Sequence, residues 1–301
     1  MEKIRKIVKI ITDSNFRTTV LGRRGFYKTM PDDKYLKRVF KNLTGRTLDL
    51  ENPQTYNEKL QWLKLNERRP EYTMMVDKYK VREYIKHVLG EEYLIPLLGV
   101  WDSPDEIDFN NLPNQFVLKC NHNSGCGMCI CTNKQELDIG TVKKNLKKGL
   151  KEDYYYAGRE WPYKNVPKKI IAEKYMIDSD TKDLRDYKFY CFNGEVKFVM
   201  INSDRNSDKS TKADYFDRDF KWLDFQWGYE HSSVKPEKPY NYEKMVEIAE
   251  KLSRNIKHVR IDLYSCSNRI YFGEITFFDG SGFDKIEPIE WDYKIGSWIE
   301  L

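Results

Sequence analysis

The stretch QFVLKCNHNSGCGMCICT, residues 115–132, reads as a strand, a small polar loop and a second strand. Phe116, Val117 and Leu118 form an apolar run that ends at Lys119. Residues 121–127 hold two glycines and a serine and no bulky apolar side chain, and residues 128–132 are apolar again. Glycine lets a backbone approach a ligand closely, so such a loop can lay N–H groups against phosphate oxygens. A lysine at the strand end adds a point charge for the same oxygens. The combination predicts a clamp for a nucleoside triphosphate. A plain β-hairpin is the alternative, because hairpin loops draw on the same Asn, Ser and Gly. Two other phosphate loops are excluded: there is no G-x-x-x-x-G-K-[ST] string and no G-x-G-x-x-G string.

Working outward, the chain has 301 residues, 40% of them apolar and 33% charged, which describes a globular protein with a substantial core. The net charge of +5 suits an anionic partner but is too small to argue for nucleic acid. No apolar run approaches the roughly 18 residues needed to span a bilayer, and no secretory apolar segment opens the chain, so a cytoplasmic protein is expected. Near the start, Ile4, Ile7, Val8 and Ile11 share a helical face, with Lys3, Arg5, Lys6 and Lys9 mostly elsewhere. This reads either as a helix on the inner membrane surface, a peripheral contact, or as a helix packed on its own protein, the plainer of the two. Four of the six cysteines crowd around the loop. Cys126, Cys129 and Cys131 with His122 have a metal-like spacing, but Cys129 and Cys131 alternate with Met128 and Ile130 as one face of a strand. No second Cys/His pair at zinc spacing follows, so they are read as reduced thiols.

Helices are expected over 35–43, 56–65, 73–89, 136–151 and 242–257. Thr55 and Glu58 form a capping box for the second, and Gly90 ends the third. Strands are expected over 93–101, 115–120, 128–132 and 169–176. A hairpin of 185–192 with 196–202 turns at Asn193-Gly194, a pair is expected at 211–216 and 219–223, and a last hairpin joins 259–264 to 270–276. Helices and hairpins in this mixed order indicate an α+β protein rather than βαβ repeats.

The last hairpin, VRIDLYSCSNRIYFGEITFFDGSG (259–282), carries Asp262 and Glu274 in apolar strands, twelve residues apart. A tight hairpin brings them together on one face, where two carboxylates repel unless a cation relieves them. Mg²⁺ does this while also holding substrate phosphates, and Arg260, on the same face as Asp262, suits a phosphate or an anionic intermediate. A pair of carboxylates balanced by Arg260 or a lysine is the alternative. In IIAEKYM (170–176), Glu173 and Lys174 lie between apolar residues. A segment leaving this strand can offer backbone groups to an adenine edge, with Tyr175 and Met176 as apolar walls. In LRDYKFYCF (184–192), Asp186 and Lys188 share one face of a strand.

The order of these pieces resembles the ATP-grasp fold, two α+β lobes gripping ATP, as in D-alanine–D-alanine ligase. The chain is more closely similar to the TupA-like ATP-grasp proteins of bacterial surface-polysaccharide (teichuronopeptide) gene clusters. NPQTYNEKLQWLKL (52–65), VDKYKVREYI (76–85), FVLKCNHNSG (116–125) and GEITFFDGSG (273–282) also match, and the resemblance spans roughly residues 35–290. It implies a helical N-terminal extension over 1–72, an ATP-grasp N-terminal part with the phosphate loop over 73–180, and a C-terminal lobe with a metal-binding hairpin over 181–301.

The resemblance also implies roles. Lys119 would bind the α- and β-phosphates, and Ser124, Gly125 and Gly127 would form the loop over them. Glu173, Lys174, Tyr175 and Met176 would make the adenine hinge, with Asp186 near the ribose. Asp262 and Glu274 would hold Mg²⁺. Thr276 stands where an Asn ligand is usual, a weaker donor. Arg260 would stabilise the developing negative charge. Lys209 or Lys212 would reach the γ-phosphate, Lys212 being the one selected, and Lys188 is a further phosphate contact. The implied activity is an ATP-dependent carboxylate–amine ligase working through an acylphosphate. Its implied substrates are a hexuronic acid of a glycan or sugar nucleotide and an amino acid or small amine. Three rival readings remain. A glycosyltransferase could use the acidic motifs Asp178-Ser179-Asp180 and Asp204-Arg205-Asn206, and a sugar kinase could use the same ATP clamp. A glycan-assembly scaffold without turnover is the third.

Overall fold

The computed structural model describes residues 12–178, 184–203 and 211–301. The amphipathic N-terminal face, Lys209, the acidic motif at 204–206 and Ser179-Asp180 lie outside these residues. Helices α1 (Ser14–Arg23), α2 (Asp32–Thr44), α3 (Tyr56–Asn66), α4 (Glu71–Val76) and α5 (Val81–Val88) come first. Strands β1 (Leu97–Trp101), β2 (Phe116–Cys120) and β3 (Cys129–Cys131), helices α6 (Ile139–Leu150) and α7 (Tyr155–Gly158), and strand β4 (Ile170–Lys174) follow. Strands β5 (Asp186–Phe192), β6 (Glu195–Ser203), β7 (Lys212–Asp217), β8 (Trp222–Leu223) and β9 (Gln226–Trp227) precede helix α8 (Tyr242–Leu252). The chain closes with β10 (His258–Cys266), β11 (Arg269–Thr276), β12 (Ile286–Glu287) and α9 (Ile289–Ser297).

The strands form a four-stranded sheet, β1-β4-β2-β3, a six-stranded sheet, β11-β10-β5-β6-β7-β8, and a small β12-β9 pair. All pairings are antiparallel, as the hairpin signals require. The β5–β6 turn is Asn193-Gly194 with φ of 50° and 85°, the left-handed pair that matches strand twist. Strand β2 alternates buried and half-buried residues, and Cys131 and Cys129 lie opposite Phe116 and Leu118 on its core face. All six cysteines are free thiols, and no group of three or more His, Cys, Asp or Glu side chains is arranged as metal ligands among the described residues.

Three apolar clusters hold these layers. The small sheet packs on α6 through Phe116, Leu118, Val142 and Leu146. A second cluster joins α2 to Phe283. The largest combines the six-stranded sheet and α8 with Tyr56, Leu60 and Leu63 of α3 and with residues of α4 and α5. Each large side chain fully buried this way contributes about 1.5–3 kcal/mol. In packing terms the helical region before residue 72 is therefore continuous with the C-terminal sheet.

Two helices differ from expectation in ways that matter. The helix expected over 73–89 is broken in two. Asp77 leaves helical conformation (φ −73°, ψ 107°), and its carboxylate accepts from the backbone N–H groups of Tyr79 at 2.9 Å and Lys80 at 3.2 Å. An Asp side chain competes with the helix for local donors, and here it wins. The helix expected over 242–257 ends at Leu252, and Asn255 adopts φ 61°. The capping box at Thr55 and Glu58 is present.

Candidate active site

Pairing registers place the charged residues of the large sheet. Glu274 lies opposite Asp262, Asp262 opposite Lys188, and Lys188 opposite Met200, a single row across β11, β10, β5 and β6. The adjacent row runs Thr276, Arg260, Tyr190, Phe198. Side chains two residues apart along a strand share a face, so Arg260 and Asp262 stand side by side, as do Lys188 and Tyr190.

That face lines a cavity of about 710 Å³. Lys188, Met200, Asn202, Arg260, Glu274 and Thr276 come from the sheet, and Phe278, Asp279, Ser281 and Asp284 from the segment that follows it. Ser124 of the glycine loop, Lys78, Tyr35 of α2 and Glu160 and Tyr163 after α7 complete much of the wall. Three cations therefore meet four carboxylates around one space.

The contacts are dense. The Arg260 guanidinium grips Asp262 with two donors, Nε to Oδ1 and Nη2 to Oδ2, each at 2.7 Å, and also reaches Glu274 Oε1 at 2.9 Å and Asp279 Oδ1. Lys188 Nζ sits between Asp262 Oδ2, at 2.7 Å, and Asp186. Tyr190 donates its hydroxyl proton to the other oxygen of Asp279. Burial pushes the Asp262 carboxyl up to about 6, against the pull of Arg260 and Lys188. Burial works the same way on Glu274 but is outweighed by Lys78, then Arg260, Lys188 and Lys119, which hold it down to about 2. Glu274 is thus an ionised carboxylate with 35% of its side chain open.

The glycine loop is built differently. Its base is buried and tied down. Asn121 Nδ2 donates to Asp77 Oδ1 at 2.7 Å and to Pro167 O at 2.9 Å, and Asn121 Oδ1 accepts from Lys169 N at 2.7 Å. Asn123 Nδ2 donates to Gly149 O at 3.3 Å, and His122 Nε2 meets Glu152 O at 3.1 Å. Gly127 (φ 80°) packs so closely on α6 that a Cβ would lie 3.1 Å from Asn145 O. Gly125 (φ 78°) has open space where its Cβ would be. Only the tip, Ser124 and Gly125, is free to meet a ligand. Lys78 joins the two halves: its backbone N–H donates to Asn121 O, and its Nζ lies 2.9 Å from Asn123 O and 3.5 Å from Glu274 Oε2.

Of the residues selected from sequence, Ser124, Lys188, Arg260, Glu274 and Thr276 line the cavity, with Asp262 and Asp186 bonded to its cations. Lys119 does not line it. Its ammonium is 2.6 Å from Glu173 Oε2 on the neighbouring strand, and Arg82 lies 3.4 Å from the other Glu173 oxygen. Glu173 thus faces cations with its side chain. Lys174 ends β4, exposed, and Tyr175 and Met176 follow it outside the strand, half-buried. Lys212 requires a correction. Ala213 lies opposite Asn202, a cavity residue, so Lys212 points from the other face of β7, where it pairs with Glu230 at 2.6 Å. Asp178 accepts from Ser267 N at 2.7 Å, a structural contact.

Sequence reasoning missed Lys78, Asp279, Lys64 and Glu160. Lys64 of α3 is buried and donates to Gln61 Oε1 at 2.9 Å, Gly158 O at 2.7 Å and Ser281 O at 2.8 Å. Burial pulls its ammonium down to about 7, opposed by Glu160. Burial pushes the Glu160 carboxyl up, opposed by Lys64. Asp279 and Ser281 belong to one turn in which Gly280, Ser281 and Gly282 all have φ near +55° (54°, 53° and 63°). A Cβ on Gly282 would lie 2.5 Å from Gln61 Nε2, so glycine is needed for this turn to rest on α3.

The donor set fits a nucleoside triphosphate, which needs cations and a backbone loop at one cavity. Mg²⁺ takes one or two carboxylates and fills its shell with water and phosphate oxygens, so no three-carboxylate cage is required. Glu274 fits directly, with the Thr276 hydroxyl 3.5 Å from its Oε1. Asp262 fits by exchanging a bond to Arg260 or Lys188.

The solved structures similar to this chain include D-alanine–D-alanine ligase from Helicobacter pylori (14% identity, TM-score 0.43, covering 80% of this chain and 66% of that one). D-alanine–D-alanine ligase from Bacillus anthracis complexed with ATP matches at 16% identity and TM-score 0.41, covering 68% and 55%. The ATP-grasp ligase PsnB complexed with a minimal precursor matches at 8% and 0.40, covering 73% and 58%. The chain thus spans between about half and two thirds of the length of these structures. No protein of curated function matches the sequence. The family model for TupA-like ATP-grasp proteins matches residues 58–300, and the chain therefore belongs to the TupA-like ATP-grasp family.

Proposed function

We propose that this protein is an ATP-dependent carboxylate–amine ligase. The observation that carries the reading is the row Glu274, Asp262, Lys188 beside Arg260, on a cavity that the tip of the glycine loop and Lys78 also line. Membership of an ATP-grasp family supports it. A carboxylate oxygen of the substrate attacks the γ-phosphorus and ADP leaves. The amine nitrogen then attacks the acyl carbon, the C–N bond forms and phosphate departs. A carboxylate is a poor acylating agent until activated, so the protein's task is to position groups and stabilise charge.

Lys78 and the loop tip, Ser124 and Gly125, serve the phosphates, Gly127 holds that loop against α6, and Lys119 serves the phosphates from the adjoining strand by exchanging its bond to Glu173. Residues 173–176 and Asp186 serve adenine and ribose. Lys188 takes the γ-phosphate role in place of Lys212, because Lys188 lines the cavity and Lys212 faces away from it. Arg260 faces the oxygen on which negative charge develops. Glu274, with Asp262 and Thr276, would hold Mg²⁺, which would supply phosphate charge neutralisation. The family resemblance supports a hexuronic acid of a surface polysaccharide as carboxylate and an amino acid or small amine as its partner. We place the reaction in the cytoplasm, where ATP is available, at the inner face of the membrane. Among the described residues no helix is long and apolar enough to cross a membrane.

The test is ADP release from Mg·ATP with D-glucuronate, measured with and without a panel of amines. A ligase requires both carboxylate and amine. Amine-independent ADP release with sugar phosphate as product marks a kinase, and turnover of a UDP-sugar instead of ATP marks a glycosyltransferase.

A further inference from the structure

The ligase reading, on which this inference rests, requires the amine to reach the acyl carbon as a neutral nucleophile, whereas a free primary amine is protonated at neutral pH. Most groups already placed at the cavity are unsuited to take that proton. Arg260 has no acceptor. Lys188 is an ammonium held between Asp186 and Asp262. Both oxygens of Asp262 and both of Asp279 are taken by Arg260, Lys188 or Tyr190. Glu274 is shared by Arg260, Lys78 and the metal role. Asp284 is exposed as a residue, and its carboxyl, pushed up to about 6 by burial and by Asp279, has no side chain among the described residues that positions it against Arg260.

We propose that Glu160 is the catalytic proton acceptor for the amine substrate, and that Lys64 is the residue that positions it. Glu160 lines the cavity with only 3% of its surface exposed. Its Oε1 accepts from the Ser281 hydroxyl, and its Oε2 has no hydrogen-bond partner among the described residues. A carboxylate so little exposed, with one hydroxyl as its side-chain donor, is costly to keep charged unless a ligand completes it from the cavity. An ammonium group is the complement that both binds there and has a proton to give.

The placement relative to the reacting centre is set by one short turn. Asp279 of that turn bonds Arg260, and Ser281, two residues on, bonds Glu160. Lys64 fixes both sides of Glu160. Its Nζ donates to Gly158 O, two residues before Glu160, and to Ser281 O, the backbone of the residue that bonds the carboxylate. The charged and titratable groups facing Glu160 are Lys64, Arg260 and Asp279, with Tyr163 alongside. In the step, one proton of the ammonium moves to Glu160 Oε2 and the freed nitrogen lone pair attacks the acyl carbon. As the C–N bond forms, the acyl C–O bond to phosphate breaks, and a second nitrogen proton leaves with the phosphate.

The test compares two nucleophiles in wild type, Glu160→Gln and Lys64→Met, with Mg·ATP and D-glucuronate. L-Alanine and ethanolamine are ammonium ions at pH 7, whereas hydroxylamine is already a neutral nucleophile. Glu160→Gln should lower amide formation by about 100-fold or more and leave hydroxamate formation in place. Lys64→Met should move the same amide-to-hydroxamate ratio in the same direction, which a purely structural role would not do. Unchanged amide formation in Glu160→Gln overturns the assignment while the ligase reading stands. Loss of both products in that variant assigns Glu160 a structural role and equally overturns it. If wild type forms neither product, the ligase reading fails and this inference falls with it.

Discussion

On the six-stranded sheet, Arg260 and Lys188 are held by Asp186, Asp262 and Glu274, whose directions are set by strand register, and Arg260 also by Asp279 from the turn that follows β11. On the four-stranded sheet, one lysine, Lys119, rests on one carboxylate, Glu173, and the neighbouring loop hangs from buried amides with its tip open. The large sheet is a preorganised electrostatic wall in which charges are held in place by one another, so a ligand enters by exchanging bonds within the network rather than by moving strands. The small sheet offers a fixed base and, at the loop tip, two residues free to adapt. The division suits the proposed ligase reaction, in which charge would be held still at the acyl centre while a nucleotide enters and leaves.

The sharpest way to break the comparison is Arg260→Ala. Removing it leaves Asp262 and Asp279 buried or half-buried with fewer partners. Losing one side of such a buried network costs about 3–5 kcal/mol. Urea unfolding should show a drop of this size, and turnover should be lost. Lys119→Ala addresses the other sheet. Glu173 keeps Arg82, so stability should change by less than about 1 kcal/mol, whereas ATP affinity should fall about 10- to 100-fold by calorimetry. Equal effects on stability from the two variants would erase the contrast.

A shared weakness links the two regions. His258 in the large core and His122 at the loop base are both held down to about 4 by burial. A histidine whose folded value lies below its ordinary 6.5 binds its proton more readily unfolded. Its contribution is therefore intact above about pH 6.5 and is lost as pH falls towards 4. Stability should decline by about 1.4 kcal/mol per pH unit for each histidine in that window. His122→Gln or His258→Gln should each remove about half of the slope in melting experiments. A small effect is expected at the loop tip. Gly125→Ala meets no neighbour but must hold φ 78°, which costs about 1 kcal/mol. Gly127→Ala, facing Asn145 O at 3.1 Å, should lower the melting temperature more.

The hairpin of β10 and β11 was legible because alternation along apolar strands announces which charged residues share a face. Asp262, Arg260 and Lys188 follow from that rule, whereas Glu274 reaches their face through a bulge, since the register shifts between Asp262 and Leu263 and Gly273 is left without a partner. Lys212 did not, because its side depends on the register of β7 against β6, which no local pattern encodes. Lys78 was hidden inside an apparently continuous helix. The signal was Asp77, a residue that prefers local turn bonds to helix interiors. Asp279 and Ser281 sit in a turn of three left-handed residues, and the string DGSG hints at a turn without saying what it bonds. Lys64 and Glu160 are ninety-six residues apart in the chain, and only packing of α3 against the segment after α7 brings them together.

The most direct measurement is calorimetric titration of ATP, with and without Mg²⁺, into wild type, Lys119→Ala and Glu274→Gln. The account predicts Mg²⁺-dependent binding in wild type, weakened in Lys119→Ala, and loss of the Mg²⁺ dependence in Glu274→Gln. Absence of ATP binding in wild type, or the same Mg²⁺-dependent affinity in all three proteins, would contradict it.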